Sequence, residues 1–380
     1  MLIRCKLLLE KLGNPQNTHK TIHVAGSSGK GTVCYMIDAI LRAHDKRTAL
    51  MVSPHVYDIR ERIQINNQYA PEKHFIKAAN EVISIVNEMA NEENSPSYFE
   101  ALAAIGFLLS SKRPLDYLVL ETGLGGRYDI SNSVSDPTKY TVLTQIGLDH
   151  MQQLGTTYEQ IASQKAEIIQ QNSMTTALKQ REGVNGVFKL IANKKNAKIS
   201  WVEATSNYQI DDLLLAIDAV KNIAQRDGWK LDFELASNAA QNVYIPGRFE
   251  KRTLSSKLII LDGAHNPQKL RALASRIERE SLTPVTIVLA LSEHKDYQAS
   301  LRAIKKICKN LIVCEFFLNN YYRRKAQSSD VIAKAAKDIG FEKVEIVKDP
   351  NKALKLAITY GNPVVCTGSF YLIGEIDKFF

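Results

Sequence analysis

A glycine-rich segment near the start of the chain has residues suited to binding phosphate. It comprises Gly26, Ser27, Ser28, Gly29, Lys30, Gly31 and Thr32. Its glycines allow backbone N–H groups to turn towards phosphate oxygens, and the helical pattern that follows adds the partial positive charge of a helix N-terminus. Lys30 can neutralise the β- and γ-phosphates of a nucleotide, and the Thr32 hydroxyl can support a metal ion or a phosphate.

The spacing of this segment differs from that of the ordinary P-loop. Two residues rather than four separate Gly26 from the Gly-Lys pair, and Gly31 stands where that motif has Ser or Thr. A glycine-rich turn that binds no nucleotide is therefore the alternative. The strand pattern before the segment and the helix pattern after it favour phosphate binding.

A carboxylate at the end of a second apolar run offers metal chemistry. Glu121 closes the run 117–121 and precedes a glycine-rich turn. The carboxyl ends of parallel strands share one edge of a sheet, so Glu121 can face the phosphate loop and hold Mg²⁺, which prefers oxygen ligands. A carboxylate that only stabilises the turn is the alternative.

Apolar runs alternate with helical patterns along most of the chain, which is typical of a parallel α/β sheet. The predicted strands of the first series are 21–25, 49–52, 117–121 and 141–146. The predicted helices are 30–43, 71–91, 98–110, 157–170 and 211–226, with a short amphipathic helix near the N-terminus. The polar stretch 171–207 is interpreted as peripheral helix and strand.

A second series of alternating elements begins near Pro246 and predicts a smaller doubly wound domain. Its predicted strands are 257–261, 285–291, 311–315, 343–347 and 363–367, and its first helix is 267–280. A chain of 380 residues is long enough for two cores. We therefore expect an ATP-binding domain over 1–243 and a Rossmann-like domain over 244–380.

Composition narrows the range of partners. The net charge of +9 permits nucleic acid, but the basic residues are dispersed and no nucleic-acid motif occurs, so anionic small substrates are preferred. Five scattered cysteines without a CxxC pair indicate neither a disulfide framework nor a zinc site. With no apolar run of eighteen residues and no secretory signal pattern, we expect a cytoplasmic protein that does not bind membranes.

Several further segments accompany the phosphate loop in a fixed order along the chain. The loop itself is preceded by His23, Val24 and Ala25. The others are SPH (53–55) with ERI (61–63), YFEAL (98–102), ETGLGGRYD (121–129), IGLDH (146–150) with QKA (164–166), PGRFE (246–250), DGAHNP (262–267) and TGSFY (367–371). Together these segments resemble the folylpolyglutamate synthases and bifunctional dihydrofolate synthases of the Mur ligase superfamily.

The resemblance implies a Mur-type central domain and an ATP-dependent amide ligase that requires magnesium. It implies that Ser53, Glu121 and His150 bind the metal, and that Lys165 is carbamylated, whereas a solvated helix lysine would be its ordinary interpretation. Lys30, Lys165 and His265 would be catalytic. A monovalent cation is a further implied cofactor.

Substrate sites follow from the same resemblance. Beside the phosphate loop, Asp212, Arg248 and Asp262 would bind ATP, although Asp262 could instead cap the turn after its strand. His265 and Ser369 would bind glutamate. The folate-type acceptor would contact Tyr98, Phe99, Glu100, Tyr128, Asp129 and Ile130, where aromatic rings can stack on a pterin.

The implied reaction adds L-glutamate to tetrahydrofolate through an acyl phosphate, in a monomer that closes about a hinge at 241–246. The chain starts at a helix that follows an N-terminal segment in the family, so polyglutamylation is expected over dihydropteroate use. Asp212 replaces a usual Asn and lacks its amide donor. The alternatives are a Mur-type ligase with a muropeptide or cyanophycin-like acceptor, a nucleotide-binding protein without catalysis, and a nucleic-acid binder.

Overall fold

The computed structural model describes residues 3–90, 95–205, 207–316, 325–361 and 363–377. The chain forms two compact units. The first contains Met1–Ser53 and Arg60–Val243, and the second contains Pro54–Ile59 and Tyr244–Phe380. The short segment Pro54–Ile59 therefore groups with the second unit although the residues on both sides of it belong to the first.

The first unit is built on one mostly parallel sheet. Its strands are β1 (Lys20–Ala25), β2 (Thr48–Met51), β3 (Ile63–Ile65), β4 (Gln68–Tyr69), β5 (Tyr117–Glu121), β6 (Tyr140–Leu143), β7 (Met174–Lys179) and β8 (Lys198–Glu203). Their order in the described sheet is β4-β3-β2-β5-β1-β6-β7-β8. Neighbouring strands pair in parallel along the part of this order that runs β2-β5-β1-β6-β7-β8. At the other end of the sheet, β3 runs antiparallel to β2, and β4 runs antiparallel to β3.

Helices connect these strands and cover the sheet. They are α1 (Ile3–Lys11), α2 (Lys30–Ala43), α3 (Glu72–Glu88), α4 (Tyr98–Ser111), α5 (Met151–Leu154), α6 (Tyr158–Ala166), α7 (Glu182–Lys194), α8 (Tyr208–Asp227) and α9 (Phe233–Gln241). Capping boxes start two of them, Ser97 with Glu100 at α4 and Thr157 with Gln160 at α6. Each box satisfies helix N–H groups that have no partner within the helix.

The predicted elements of the first series all occur, and several of their ends differ from the prediction. The strand predicted to reach Ile146 ends at Leu143, and the helix predicted to reach Gln170 ends at Ala166. The predicted end of α3 at Asn91 lies outside the described residues. The stretch 171–207 is helix and strand, as predicted, but β7 and β8 both pair in parallel within the main sheet.

The second unit has a sheet with helices on both faces. Its strands are β9 (Glu250–Leu254), β10 (Lys257–Asp262), β11 (Val285–Leu289), β12 (Cys308–Val313), β13 (Lys343–Ile346) and β14 (Val364–Thr367), in the order β13-β12-β11-β14-β10-β9. Its helices are α10 (Pro267–Arg279), α11 (Tyr297–Ile304), α12 (Ser329–Ile339), α13 (Pro350–Thr359) and α14 (Phe370–Asp377). Only the β9–β10 pair is antiparallel among the described strands of this sheet.

Alternate residues of strand β10 show that helices cover both faces of this sheet. On β10, Ile260 packs into a cluster with α10, α11 and α12, whereas Ile259 and Leu261 pack into a cluster with α13 and α14. This is the alternation expected of a strand buried on both sides. The two α/β units with mostly parallel sheets confirm the predicted fold class. No helix of the described residues is long and apolar enough to cross a membrane.

Candidate active site

The phosphate loop lies at the carboxyl edge of the first sheet, between β1 and α2. Gly29 is the N-cap residue of α2 and has a φ of 84°, in the left-handed region that favours glycine. The backbone N–H groups of Ser27 and Ser28 donate to the carbonyl of Gln145, at 2.8 and 3.2 Å. These two N–H groups therefore join the loop to the segment after β6, and the first turn of α2 presents the remaining donors to an anion.

Asp212 stands directly behind this loop. It is a buried residue near the start of α8. A Cβ added to Gly29 would overlap its carboxylate oxygen Oδ1. The structure thus brings the Asp212 carboxylate against the N-cap of α2, where the φ of Gly29 and this close approach both favour glycine.

Two of the predicted metal ligands meet at the carboxyl ends of β2 and β5. Glu121 is buried, with 7% of its surface exposed, and its Oε2 accepts a hydrogen bond from the backbone N–H of Ser53 at 2.8 Å. His150 follows β6 and is the N-cap residue of α5, with a φ of 51° and an exposed side chain whose Nε2 lies 3.7 Å from Asp149 Oδ2.

The donor set of this edge suits magnesium that is shared with a nucleotide. Among the described residues, no group of three or more His, Cys, Asp or Glu side chains has the arrangement of a metal cage. Mg²⁺ is commonly held by one or two carboxylates together with substrate phosphates and water. Glu121, with the Ser53 hydroxyl and the His150 ring on the same sheet edge, fits that pattern.

The glycine turn after Glu121 brings Lys165 to this edge. A Cβ on Gly126 would lie 2.7 Å from the carbonyl oxygen of Gln164 and 3.1 Å from Lys165 Cα, and Arg127 N–H donates to that same carbonyl at 2.9 Å. Lys165 is 4% exposed. The interpretation of Lys165 as a solvated helix lysine is therefore wrong.

A small cavity adjoins the metal side of the sheet edge. Its volume is about 30 Å³. It is lined by Met51, Val52, Ser53, Arg62, Phe99, Leu102, Ala103, Leu120, Glu121, Asp129, Ile130 and Ser131. Three residues predicted to contact the acceptor thus share a cavity with two residues predicted to bind the metal.

The aromatic residues of the predicted acceptor site differ in exposure. Phe99 is partly buried, and its ring presses on the glycine turn so closely that a Cβ on Gly123 would overlap it. Tyr98 and Tyr128 are about half exposed, at 49% and 52%. The guanidinium of Arg127 lies 5.3 Å from the centre of the Tyr128 ring. Phe99 therefore belongs to the cavity wall, whereas Tyr98 and Tyr128 are more exposed and do not line the cavity.

The carboxylate of Glu100 is used inside the fold. It accepts two hydrogen bonds from Arg4 of α1, at 2.8 and 2.9 Å, and one from Ser97 N–H at 2.7 Å. Burial raises the pKa of Glu100, but the hydrogen bonds from Arg4 and Ser97 outweigh burial and lower its pKa overall. Glu100 thereby ties α1 to the start of α4.

Asp129 is likewise buried and bonded to its own loop. Its Oδ1 accepts from the Ser131 hydroxyl at 2.5 Å, and its Oδ2 accepts from Leu124 N–H at 2.8 Å. Burial raises its pKa, and the hydrogen bonds from Ser131 and Leu124 oppose that rise. Asp129 therefore fixes the shape of the loop that lines the cavity.

Two residues near the site were given no role from the sequence. His23 on β1 is fully buried, and its Nε2 lies 2.8 Å from Ser131 Oγ and 2.9 Å from Thr122 Oγ1. Burial and the nearby Lys139 hold its pKa well below the ordinary value, so it is neutral and links β1 to both loops. Arg62 lines the cavity beside Glu121. Their only sequence signal was their presence in segments shared with the family.

In the second unit, Asp262 ends β10 and organises the adjoining backbone. Its Oδ2 accepts from Phe249 N–H and its Oδ1 from Ala264 N–H, both at 2.8 Å. Burial raises the pKa of Asp262, and these two hydrogen bonds oppose the rise. The contacts in the structure are those of the strand-end cap that was the alternative to nucleotide binding.

The other predicted residues of the second unit lie on loops close to Asp262. His265 Nδ1 lies 2.8 Å from the carbonyl of Gly263, and since a carbonyl only accepts, Nδ1 carries the proton. Its Nε2 then accepts from Lys269 Nζ at 3.3 Å. Ser369 is 3% exposed, and its hydroxyl oxygen accepts from Tyr371 N–H at 3.1 Å. Arg248 directly precedes Phe249 in the PGRFE segment.

Comparisons with known proteins agree along nearly the whole chain. A family described as "Mur ligase middle domain" matches residues 24–226, and one described as "Dihydrofolate synthetase, C-terminal domain" matches residues 241–379. A Schizosaccharomyces pombe protein named "Probable dihydrofolate synthetase" is 28% identical over 419 residues, which covers 100% of this chain and 97% of the relative. A Bacillus subtilis "Dihydrofolate synthase/folylpolyglutamate synthase" is 26% identical and covers 99% of this chain and 94% of the relative.

A solved structure gives the same result for the fold. The Mycobacterium tuberculosis folylpolyglutamate synthase complexed with ADP and AMPPCP superposes with a TM-score of 0.88 at 25% identity. The match covers 99% of this chain and 94% of that one.

Proposed function

Because the chain belongs to the folylpolyglutamate synthase and dihydrofolate synthase family of Mur ligases, we propose that it joins glutamate to a folate-type acceptor in an ATP-dependent reaction. One observation supports this proposal most directly. The turn that follows Glu121 lies against both Phe99 of the cavity wall and Lys165 of α6. The carboxylate predicted to bind the metal, an aromatic residue predicted to contact the acceptor and a buried lysine thus adjoin one turn, on the edge that carries the phosphate loop.

The proposed chemistry begins with activation of the acceptor carboxylate. A carboxylate is a poor electrophile, so one of its oxygens attacks the γ-phosphorus of ATP, the bond to ADP breaks, and an acyl phosphate forms. Lys30 and the N–H groups at the start of α2 neutralise the phosphate charge that shifts in this step. Mg²⁺ held at Glu121, Ser53 and His150 would supply charge neutralisation on the phosphates.

The second step forms the amide. The glutamate amine attacks the acyl carbon, inorganic phosphate leaves, and the amine loses a proton. We assign glutamate binding to His265 and Ser369, and nucleotide contact to Arg248, whose planar fork suits phosphate oxygens. The two carboxylates Asp212 and Asp262 are assigned to shaping the nucleotide site through the backbone they contact.

Carbamylation of Lys165 is part of the proposal. A neutral lysine amine would attack CO₂ and lose a proton, which turns a cation into a carboxylate beside the metal site. The burial of Lys165 favours the neutral amine that this step needs. A requirement for a monovalent cation, and a monomeric state, stay predictions that turnover in potassium-free buffer and sedimentation would test.

The acceptor defines two candidate activities. We propose tetrahydrofolate, which gives folylpolyglutamates. The second candidate is dihydropteroate, which gives dihydrofolate, and it is favoured by the family match over 241–379 and by the name of the Schizosaccharomyces pombe relative.

The test is ADP release by the purified protein with Mg²⁺-ATP and glutamate, with each acceptor in turn, and the mass of the product. Turnover with tetrahydrofolate and addition of one or more glutamates would support the first candidate, and turnover with dihydropteroate alone would replace it by the second. Lys30→Met is the control, because loss of the phosphate-binding ammonium should abolish release. If the protein binds ATP but releases no ADP with either acceptor, the proposal of a folate-type ligase is refuted.

A further inference from the structure

An aromatic ring in the second unit occupies a fixed place next to the loops that carry Arg248 and His265. Phe370 is the first residue of α14 and follows Gly368 and Ser369. Gly368 N–H donates to the carbonyl of Ala264 at 2.9 Å, and Ser369 is buried. The backbone before the ring is thus tied to the loop that follows β10. Phe370 itself is half-buried, whereas Leu372 and Ile373 of the same helix are fully buried core residues.

The ring packs against two glycines. A Cβ on Gly263 would overlap three ring atoms of Phe370, and a Cβ on Gly247 would lie 3.3 Å from each of two ring atoms. Gly263 N–H donates to the Gly247 carbonyl at 2.8 Å, which joins the two loops. Both loops therefore pack against the same ring, and any side chain at Gly263 would displace it.

The same ring lies beside both predicted functional side chains. The Arg248 guanidinium carbon is 5.5 Å from the ring centre, within cation–π range. The His265 ring centre is 6.1 Å away, at an interplanar angle of 58°, which is a favourable tilted aromatic arrangement. Among the residues that the structure describes, the Arg248 side chain makes no hydrogen bond or ion pair, and its other charged neighbour is the buried carboxylate of Asp262. The ring contact therefore leaves its N–H donors available.

We propose that Phe370 is a positioning residue that sets the orientation of Arg248 for nucleotide phosphate and of His265 for glutamate. This inference rests on the proposed function, because it takes those two substrates from it. Phe370 touches neither substrate in this scheme and acts through the two side chains and the two glycine loops. An aromatic ring is needed, since an aliphatic side chain fills the space against Gly263 but has no face for a guanidinium.

The test compares Phe370→Leu with Phe370→Tyr, which keeps the ring. Phe341→Leu is the matched control, because it removes a buried ring from the core of the same unit. Affinity for Mg²⁺-ATP is measured by titration without acceptor, and the KM for glutamate is measured by ADP release. For Phe370→Leu we expect ATP affinity to weaken about 2- to 30-fold, as loss of a cation–π contact implies, and the glutamate KM to rise. Phe370→Tyr should stay close to the wild type.

A double-mutant cycle separates positioning from general loss of stability. In an Arg248→Ala background, Phe370→Leu should weaken ATP affinity little further, because the side chain that the ring orients is gone. Equal losses with and without Arg248, or an effect no larger than that of Phe341→Leu, would overturn the inference. Weakened ATP affinity in Phe370→Leu supports it even where no folate-type acceptor gives turnover, and that second result overturns only the proposed acceptor. A wild type that binds no ATP would overturn both.

Discussion

Replacing Gly126 by alanine should move Lys165 without altering any charged group. The new Cβ would lie 2.7 Å from the carbonyl oxygen of Gln164, whereas ordinary Cβ contacts begin at 3.4 Å. The carbonyl must therefore retreat by the difference, 0.7 Å, and it belongs to the residue that directly precedes Lys165 on α6. Because the obstacle is backbone, a rotamer change cannot relieve it, and the helix has to shift.

The expected size of the effect follows from that distance. A misplacement of about 1 Å at a reacting centre can cost roughly 100-fold in rate, so a shift somewhat smaller than this should lower kcat roughly 10- to 100-fold. Overpacking of this kind costs about 1–3 kcal/mol of stability, or roughly 2–12 °C in Tm for a unit of this size. Affinity for ATP should change little, because the phosphate loop lies after a different strand.

The assay is ADP release with saturating Mg²⁺-ATP, glutamate and acceptor, together with nucleotide titration and thermal unfolding. Gly186→Ala is the matched control, since a Cβ there meets no atom within 4 Å and the residue lies in a helix of the same unit. It should keep full turnover and gain slightly in stability. Turnover of Gly126→Ala within twofold of the wild type, with Gly186→Ala behaving as expected, would show that this contact does not position Lys165.

Three further predictions address charge at the first unit. Lys165→Arg should be inactive although it keeps the positive charge, because arginine cannot form the carbamate. Added acetate should partly restore the activity of Lys165→Ala. Full activity of Lys165→Arg in the ADP-release assay would exclude carbamylation. Glu121→Gln should raise the Mg²⁺ concentration for half-maximal turnover by roughly tenfold or more, and an unchanged magnesium titration would remove Glu121 from the metal site. Arg4→Ala should destabilise the protein by roughly 1–3 kcal/mol at neutral pH, because it leaves the Glu100 carboxylate with fewer donors. Since the pKa of Glu100 is lowered on folding, its contribution is present above its ordinary pKa of about 4.3 and is lost as pH falls through the folded pKa, so the deficit measured by denaturant unfolding should shrink below about pH 4.

The elements predicted most accurately from the sequence are those whose buried residues form continuous apolar runs. β1 and β5 are buried along almost their whole length, and α2 begins at Lys30 as the glycine loop indicated. β7 was harder to recognise because it buries Thr175 and Thr176 in the sheet, where the Thr176 hydroxyl lies 2.6 Å from the Tyr140 hydroxyl. A polar residue buried against a distant partner carries no local signal in the sequence.

The predicted boundaries of helices and strands were wrong where tertiary contacts, and not the local sequence, end an element. Helix α6 stops at Ala166 although Ile168 and Ile169 continue the apolar pattern, because those residues pack into the same cluster from a non-helical segment. β6 stops at Leu143, and Gln145 then accepts hydrogen bonds from the phosphate loop. Periodicity records which residues are buried and not which backbone geometry buries them.

In the candidate site, too, some features could be predicted from the sequence and others could not. The phosphate loop, Glu121 and Lys165 were identified from motifs, and the structure brings the turn after Glu121 together with Lys165. The partners of Glu100 and Asp129 could not be foreseen, because Arg4 is 96 residues from Glu100 and the bonds of Asp129 depend on how its loop folds. The family resemblance is confirmed by both family matches, whereas the role of each residue stays a prediction.

The grouping of Pro54–Ile59 with the second unit has a consequence for dissecting the molecule. Tyr57 of this segment donates a hydrogen bond to Glu250 at 2.6 Å, and Val56 packs with the core under α13 and α14. A polypeptide that ends at Val243 would lack these partners and would leave an apolar loop between β2 and β3 without cover. A single cut at 243 therefore does not yield two autonomous pieces, and on the ribosome this loop cannot reach its final packing until the last helices have been synthesised.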